Sequence, residues 1–295
     1  MKLILYLVLS FSFVQSNFSQ EYPVLRIGLV ADPQYAEKPS TATRSYKQTL
    51  QKLKQAIDTF NKKDIDLVQN FGDIIDEGWH NYDSILPIYK NLKSNIEIYH
   101  LLGNHDFSVD SVHLKNLLHK LSMPDFYYSY EKSNWRFIVL DATDYSFFSA
   151  NLHNYNTEEI EVQFEKAEGK PNHQSWNSAI GKKQQIWLKH QLNEAIASNQ
   201  KVFIFSHMPV KPFKNAHNLW NDYEISEIIE QYPNVVAFIN GHNHAGEFEF
   251  SNGIYYVSLR GMVNTDENSF SILEIHKDHA KLSGYGKQDS YNFRF

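Results

Sequence analysis

Val235-Val236-Ala237-Phe238-Ile239-Asn240-Gly241-His242-Asn243-His244 is the stretch on which the reading of this chain turns. Its apolar run reads as a buried strand. The polar end carries two histidines at i and i+2, a spacing that lets both imidazoles turn to one side. Gly241 allows the backbone to bend sharply there. Alone the pattern is weak, because fourteen histidines are scattered along the chain. It gains weight because four other strand ends carry residues of the same ligand type.

Working outward, strands are expected at 24–31, 66–71, 97–102 and 202–205, besides 235–239. They end respectively at Asp32 with Gln34, at Gly72-Asp73, at Gly103-Asn104-His105-Asp106 and at Ser206-His207. Helical spacing separates them at 43–61, 81–92, 112–121, 183–197 and 223–232; on the fourth of these, Ile186, Trp187, Leu192 and Ile196 share one face. Residues 126–130 and 135–140 are aromatic-rich and read as a hairpin. The last fifty residues alternate short strands at 247–250, 253–259, 270–275 and 280–284. The alternation argues for an α/β fold, with two packed sheets and helices covering their outer faces, in one domain spanning 21–295. Residues 142–182 are polar with little periodicity, which leaves two readings: a lid over the site, or a plain surface insertion.

Carboxyl ends of strands gather at one edge of an α/β sheet, and ligand crevices form there. Asp32, Gln34, Asp73, Asn104, His207, His242 and His244 therefore converge although they are distant in sequence. Carboxylate and amide oxygens together with imidazoles suit Mn2+, Fe2+ or Zn2+. Seven ligands exceed one tetrahedral centre. They suit two divalent metals roughly 3.5–4 Å apart, with Asp73 as the natural bridge. Such a pair neutralises phosphate oxygens, acidifies a water and aligns it with the leaving oxygen. Taken singly, an Asp or Asn after a strand is more often a turn or cap residue, and a single His a structural one. Five matching strand ends together outweigh that bland reading. His105, beside Asn104 and Asp106, is placed to protonate a departing oxygen, with Asp106 favouring its charged form; the simpler alternative is that it only orients a phosphate.

Composition bounds the rest. The 295 residues are 42% hydrophobic, enough for a large core. The net charge of -6 gives no general pull toward nucleic acid or anionic membrane. With no cysteine, disulfides, thiolate sites and cysteine nucleophiles are excluded. Residues 1–20, with Lys2, an apolar core over 3–14 and small residues at Ser16 and Ser19, read as an export signal cleaved near 16–20. No later stretch is long and apolar enough to cross a bilayer, so an exported monomer without an integral membrane segment is expected.

Asp32-Pro33-Gln34, Gly72-Asp73, Gly103-Asn104-His105-Asp106, His207 and Gly241-His242-Asn243-His244 resemble, in order, the motifs of the calcineurin-like metallophosphoesterases. The resemblance implies a four-layer α/β/β/α sandwich of two mixed sheets and dimetal phosphoester hydrolysis. It also implies a division of ligands: Asp32, Gln34, Asp73 and His244 around one metal, and Asp73, Asn104, His207 and His242 around the other. Gln34 stands where that family usually has His. An amide oxygen is a harder, weaker ligand, which favours Mn2+ or Mg2+ over Zn2+ at that site. The Asp32-Pro33-Gln34-Tyr35 start, the Gly72-Asp73-Ile74-Ile75-Asp76 run, the segment 177–188 and Val257-Ser258-Leu259-Arg260-Gly261 narrow the likeness to the manganese-dependent ADP-ribose/CDP-alcohol diphosphatases. The substrate so implied is a small nucleoside diphosphate linked to a sugar or alcohol, cut to a nucleoside monophosphate and a phosphorylated alcohol.

For recognition of that substrate, Tyr35, Phe107 and Trp79 adjoin motif residues and are candidates for stacking on a base, against the plainer reading that they pack. Arg44 is the candidate phosphate contact. Two other readings compete: a broad phosphodiesterase or phosphomonoesterase of the same fold, and a non-catalytic metal-binding module.

Overall fold

The computed structural model describes residues 22–153 and 157–295. The expected export segment at 1–20 lies outside them. Six strands form one sheet: β1 (Leu25–Val30), β2 (Leu67–Asn70), β3 (Glu97–His100) and, from the C-terminal part, β10 (Ser269–Ile275), β11 (His279–Gly286) and β12 (Tyr291–Arg294), in the order β12-β11-β10-β1-β2-β3. A second six-stranded sheet holds β4 (Tyr128–Lys132), β5 (Trp135–Val139), β6 (Lys201–Ser206), β7 (Val235–Asn240), β8 (Glu247–Ser251) and β9 (Ile254–Ser258), in the order β4-β5-β6-β7-β9-β8. Both sheets are mixed. β1–β2–β3 and β5–β6–β7–β9 pair in parallel, while β10, β11, β12, β4 and β8 add antiparallel neighbours.

The parallel strands read as nearly unbroken apolar runs because both faces are covered. On β5 and β6, Phe137, Val139, Phe203 and Phe205 face the core shared with the first sheet, where Phe71 meets Phe205 edge-on at 5.2 Å. Ile138 and Ile204 face the opposite way, under α7 (Lys182–Ala197) and α8 (Asp222–Ile229). On the first sheet, Leu53, Ala56, Ile57 and Phe60 of α1 (Thr49–Lys62) are buried against the core. α2 (Tyr82–Tyr89) flanks α1. The result is the four-layer sandwich expected from the motifs.

Several local expectations change. The helix expected from residue 43 begins at Thr49, because Arg44 is held in a bridge with Asn264 instead. The helix expected at 112–121 is two single turns, α3 (Ser111–Leu114) and α4 (Leu117–Lys120). Strand β12 escaped the sequence reading altogether. Helix α7 keeps half of the expected face: Leu192 is buried and Trp187 packs against the core, but Ile186 is 68% and Ile196 49% exposed, and Gln184, Leu188 and Ala195 are buried in their place. Gln184 is buried on that face with Leu188, Leu192 and Ala195, and its amide accepts from Asp141 N at 2.9 Å and donates to Asp141 O and Asp144 Oδ2 at 3.0 Å, so its burial leaves no polar group unpaired.

The segment 142–182 is not structureless. It contains α5 (Ala150–His153) and α6 (Thr157–Glu165), closes with a bridge between Tyr145 and Ala179, and packs Ile160, Ala167 and Ala179 on the buried Trp220. Its polar composition hid this, because α5 is a single turn, α6 has nine residues, and their apolar partner Trp220 comes from elsewhere. Among the described residues no helix is long and apolar enough to cross a membrane.

Candidate dimetal centre

All five strand ends meet at the carboxyl edge of the parallel strands. Their bends are tight enough to force side-chain-bearing residues into left-handed backbone: Asp32 at φ 49°, Gln34 at 42°, Asp73 at 49° and His242 at 63°. Each such residue costs about 1–3 kcal/mol and persists only where its surroundings over-determine it. Here they do. Gln34 N donates to Asp73 O at 2.8 Å, and His242 N donates to the Asp32 carboxylate at 3.1 and 3.2 Å.

Two groups of ligand atoms form, each lying within 4.8 Å of one another: Asp73, His207 and His242, and Asp32, Asp73 and His244. Asp73 belongs to both, as a bridging ligand must. Asn104 Oδ1 lies 3.2 Å from His207 Nε2, which brings it to the first group. Gln34 Nε2 donates to Asp73 Oδ2 at 2.9 Å, leaving Gln34 Oε1 buried without a hydrogen-bond partner. An orphaned buried acceptor is costly unless a cation takes it. That oxygen and the mixed carboxylate, amide and imidazole set fit two divalent cations.

The histidine tautomers follow from their fixed neighbours. His207 Nδ1 donates to Phe71 O at 2.8 Å, so Nε2, 3.4 Å from Asp73 Oδ2, is the nitrogen that would ligate a cation once it gives up its proton. His244 Nδ1 meets Asn264 Oδ1 at 2.7 Å, and its Nε2 lies 3.4 Å from Asp32 Oδ1. His242 is reversed: Nε2 meets Asn177 Oδ1 at 3.0 Å, which leaves Nδ1 to ligate.

Charge is concentrated on Asp73. Burial opposes its ionisation, yet His207 and His105 hold its carboxyl well below the usual range. Burial pulls His207 down, but Asp73 more than reverses this and raises it to about 9. Burial and the neighbouring His207 push His242 well below its ordinary value. In the metal-stripped protein at pH 7, His207 therefore carries a proton where a cation would sit. A ligating imidazole must be neutral, so metal uptake at pH 7 should release about one proton per chain. Calorimetric titration in buffers of differing ionisation heat reads that number, and zero release would contradict the His207–Asp73 pairing.

Asp106 does not act on His105. Wholly buried, it accepts from Asp73 N at 2.8 Å, Ile74 N at 3.0 Å, Gly103 N at 2.9 Å and Tyr82 Oη at 2.8 Å. Four donations make it the tie between the β2 and β3 loops. Burial and the Asp73 charge raise it to about 6. The partner of His105 is Asp76, whose O and Oδ1 lie 3.0 and 3.2 Å from His105 Nδ1. Burial lowers His105, but Asp73 and Asp76 outweigh it and raise it to about 9. Its Nε2 is thereby left free.

Above the ligands opens a cleft of about 520 Å³. Arg44 lines it, with Nη1 3.4 Å from Asp76 Oδ1. The three aromatic candidates do not. Tyr35 is buried, with its hydroxyl donating to Glu37. Phe107 packs on Phe148 at 5.3 Å. Trp79 stacks on His113 at 4.6 Å and lines a separate groove with His80 and Asp110. All three point elsewhere than the cleft, which sequence adjacency to a motif does not reveal. The cleft instead takes Thr43, Trp176, His217 and Asn264. None belongs to a motif, and only the convergence of chain segments could have found them.

The sequence profile of the calcineurin-like phosphoesterases matches residues 25–246. The chain is 28% identical to the manganese-dependent ADP-ribose/CDP-alcohol diphosphatase of Arabidopsis thaliana, over 92% of this chain and 97% of that protein. It is 29% identical to the protein of the same name from Oryza sativa subsp. japonica, over 91% and 94%. A crystal structure of a dimetal phosphatase from Danio rerio superposes with a TM-score of 0.80 at 23% identity, covering 92% of this chain and 99% of that one, and so shares its fold. Profile, order of ligands and architecture agree: the chain belongs to the calcineurin-like phosphoesterase family.

Proposed function

We propose that this chain hydrolyses the pyrophosphate link of a nucleoside diphosphate joined to a sugar or alcohol, of the ADP-ribose or CDP-choline kind, with two Mn2+ as cofactors. The observation that carries the reading is Asp73, shared between two ligand groups at the floor of a cleft of about 520 Å³. The relatives named for this activity span nearly the whole chain and support the substrate class. Gln34, with its free amide oxygen, supports the metal.

Asp32, Gln34, Asp73 and His244 would hold one cation, and Asp73, Asn104, His207 and His242 the other. Bound there, the pair supplies charge neutralisation at phosphorus and an acidified water. The remaining work belongs to the chain. Arg44 offers a planar guanidinium to a phosphate oxygen, held toward the cleft by Asp76. His105, its Nδ1 tied to Asp76, keeps a proton on Nε2 for the departing oxygen as the P–O bond of the anhydride breaks. The products are a nucleoside monophosphate and a phosphorylated alcohol. Trp176, 45% exposed at the rim, is the aromatic surface available to a base.

His105→Ala should lower kcat by roughly 10²–10⁴-fold while leaving two Mn2+ per chain by elemental analysis. Metal loss equal to that of a ligand variant would place His105 among the ligands instead. A substrate panel with Mn2+ tests the reaction itself: ADP-ribose and CDP-choline against bis-p-nitrophenyl phosphate and p-nitrophenyl phosphate. Faster turnover of the simple esters would make the chain a broad phosphoesterase. We also propose export, on the charged start and apolar run of residues 1–20. N-terminal sequencing of the protein from its native source, beginning at Met1, would overturn it.

A further inference from the structure

The family motifs end at the ligand atoms of His242 and His244. The opposite nitrogen of each ring is met by an asparagine from a distant segment: Asn177 Oδ1 lies 3.0 Å from His242 Nε2, and Asn264 Oδ1 lies 2.7 Å from His244 Nδ1. Asn177 is wholly buried. Its Nδ2 donates to Asn172 O at 3.1 Å and to Ala216 O at 2.7 Å. These two donations decide which end of the amide faces the histidine. It is the oxygen, which only accepts, so His242 must present an N–H there and a lone pair on Nδ1.

Asn264 is held differently. It follows Gly261-Met262-Val263, a loop tied down by the buried Lys52, whose Nζ donates to Met262 O at 2.9 Å and to Thr265 O. At Gly261 there is no room for a side chain: a Cβ would stand 2.6 Å from His244 Cγ. The loop thus presses its backbone against one side of the His244 ring while Asn264 takes its Nδ1.

We propose that Asn177 and Asn264 are positioning residues, each governing one of the two cation sites independently of the other. An imidazole rotates about its Cβ–Cγ bond between two orientations of similar energy. Only one of them aims the ligating nitrogen at the shared carboxylates. The asparagine on the far nitrogen removes the other. Asn177 acts on the site of Asp73, Asn104, His207 and His242, and Asn264 on the site of Asp32, Gln34, Asp73 and His244. Asn177, from the end of the segment 142–182, is then part of the metal centre rather than of a covering over it. Partners of this kind are worth roughly 10–100-fold in metal affinity. The inference rests on the dimetal reading but not on the choice of substrate.

The test uses the chelator-stripped full chain titrated calorimetrically with Mn2+ alone. The native protein should show two sites. Asn177→Ala should weaken one of them roughly 10–100-fold and spare the other, and Asn264→Ala should do the reverse. Asn264→Asp should restore binding, since a carboxylate also accepts from His244 Nδ1. In a His242→Ala background, Asn177→Ala should cost nothing further, whereas Asn264→Ala should keep its full effect. A purely structural role would give equal losses in both backgrounds and would overturn the assignment. So would unchanged affinity at both sites in either alanine variant. If Asn177→Ala loses its thermal transition, the Asn264 pair decides alone, with unchanged affinity in Asn264→Ala overturning the proposal. A native protein that binds two Mn2+ and ignores diphosphates would sink the substrate reading and leave this one standing.

Discussion

Asn in place of Asp73 is expected to lower turnover by roughly 10³-fold or more with the fold retained. Both ligand groups share this carboxylate, so one substitution removes charge from both. The replacement is not isosteric in its hydrogen bonding either. Asp73 Oδ1 accepts from His105 N at 2.8 Å and Oδ2 accepts from Gln34 Nε2 at 2.9 Å. An amide has one oxygen, so its NH2 must face one of those donors. Either His105 N loses its acceptor or the Gln34 amide turns over, which takes Oε1 away from a cation. The fold survives because the loop is anchored by Asp106, which takes Asp73 N and Ile74 N, and not by the Asp73 side chain. Metal content by elemental analysis and kcat with ADP-ribose read the outcome. A variant retaining two Mn2+ and more than a tenth of native activity would contradict the bridging role.

Gly103→Ala is the second large effect, although it changes no charge. The added methyl would stand 2.2 Å from Asp73 Oδ1 and 2.5 Å from His207 Cε1. Both neighbours are buried, and His207 is further tied to Phe71 O. Nothing flexible can yield, so the bridging carboxylate itself must move. A displacement near 1 Å at a reacting centre costs about 10²-fold in rate, and overpacking adds about 1–3 kcal/mol of instability. The expected result is weakened Mn2+ binding, activity down about a hundredfold or more and a lowered thermal midpoint. Native Mn2+ affinity in this variant would show that the Asp73 loop is softer than its contacts suggest.

Not all of the site was equally legible. Ligands at strand ends were, because a strand announces itself by its apolar run and a ligand by its residue type. The residues that orient those ligands were not. Asp76 and Asp106 both sit in motif stretches, and only the bonds show that Asp76 serves His105 while Asp106 ties two loops. The aromatic candidates failed for a similar reason: in a tight loop, neighbours in sequence point in different directions, so Trp79 and Phe107 leave the cleft while Trp176 enters it. Helix α7 shows the limit of periodicity. Leu192 and Trp187 of its aliphatic face pack inward, but Ile186 and Ile196 are exposed while the hydrogen-bonded Gln184 is buried.

What the sequence determined by itself is the five strands that end in ligands, the seven ligand types and the family to which they point, because burial and coordination both depend on residue chemistry read along the chain. What only the tertiary structure decided is which nitrogen of each histidine faces the cations, which carboxylate serves which loop, and which distant asparagines hold the rings. Those depend on contacts across separations as long as the 210 residues from Asp32 to His242, where direction in space, not position in the chain, selects the partner.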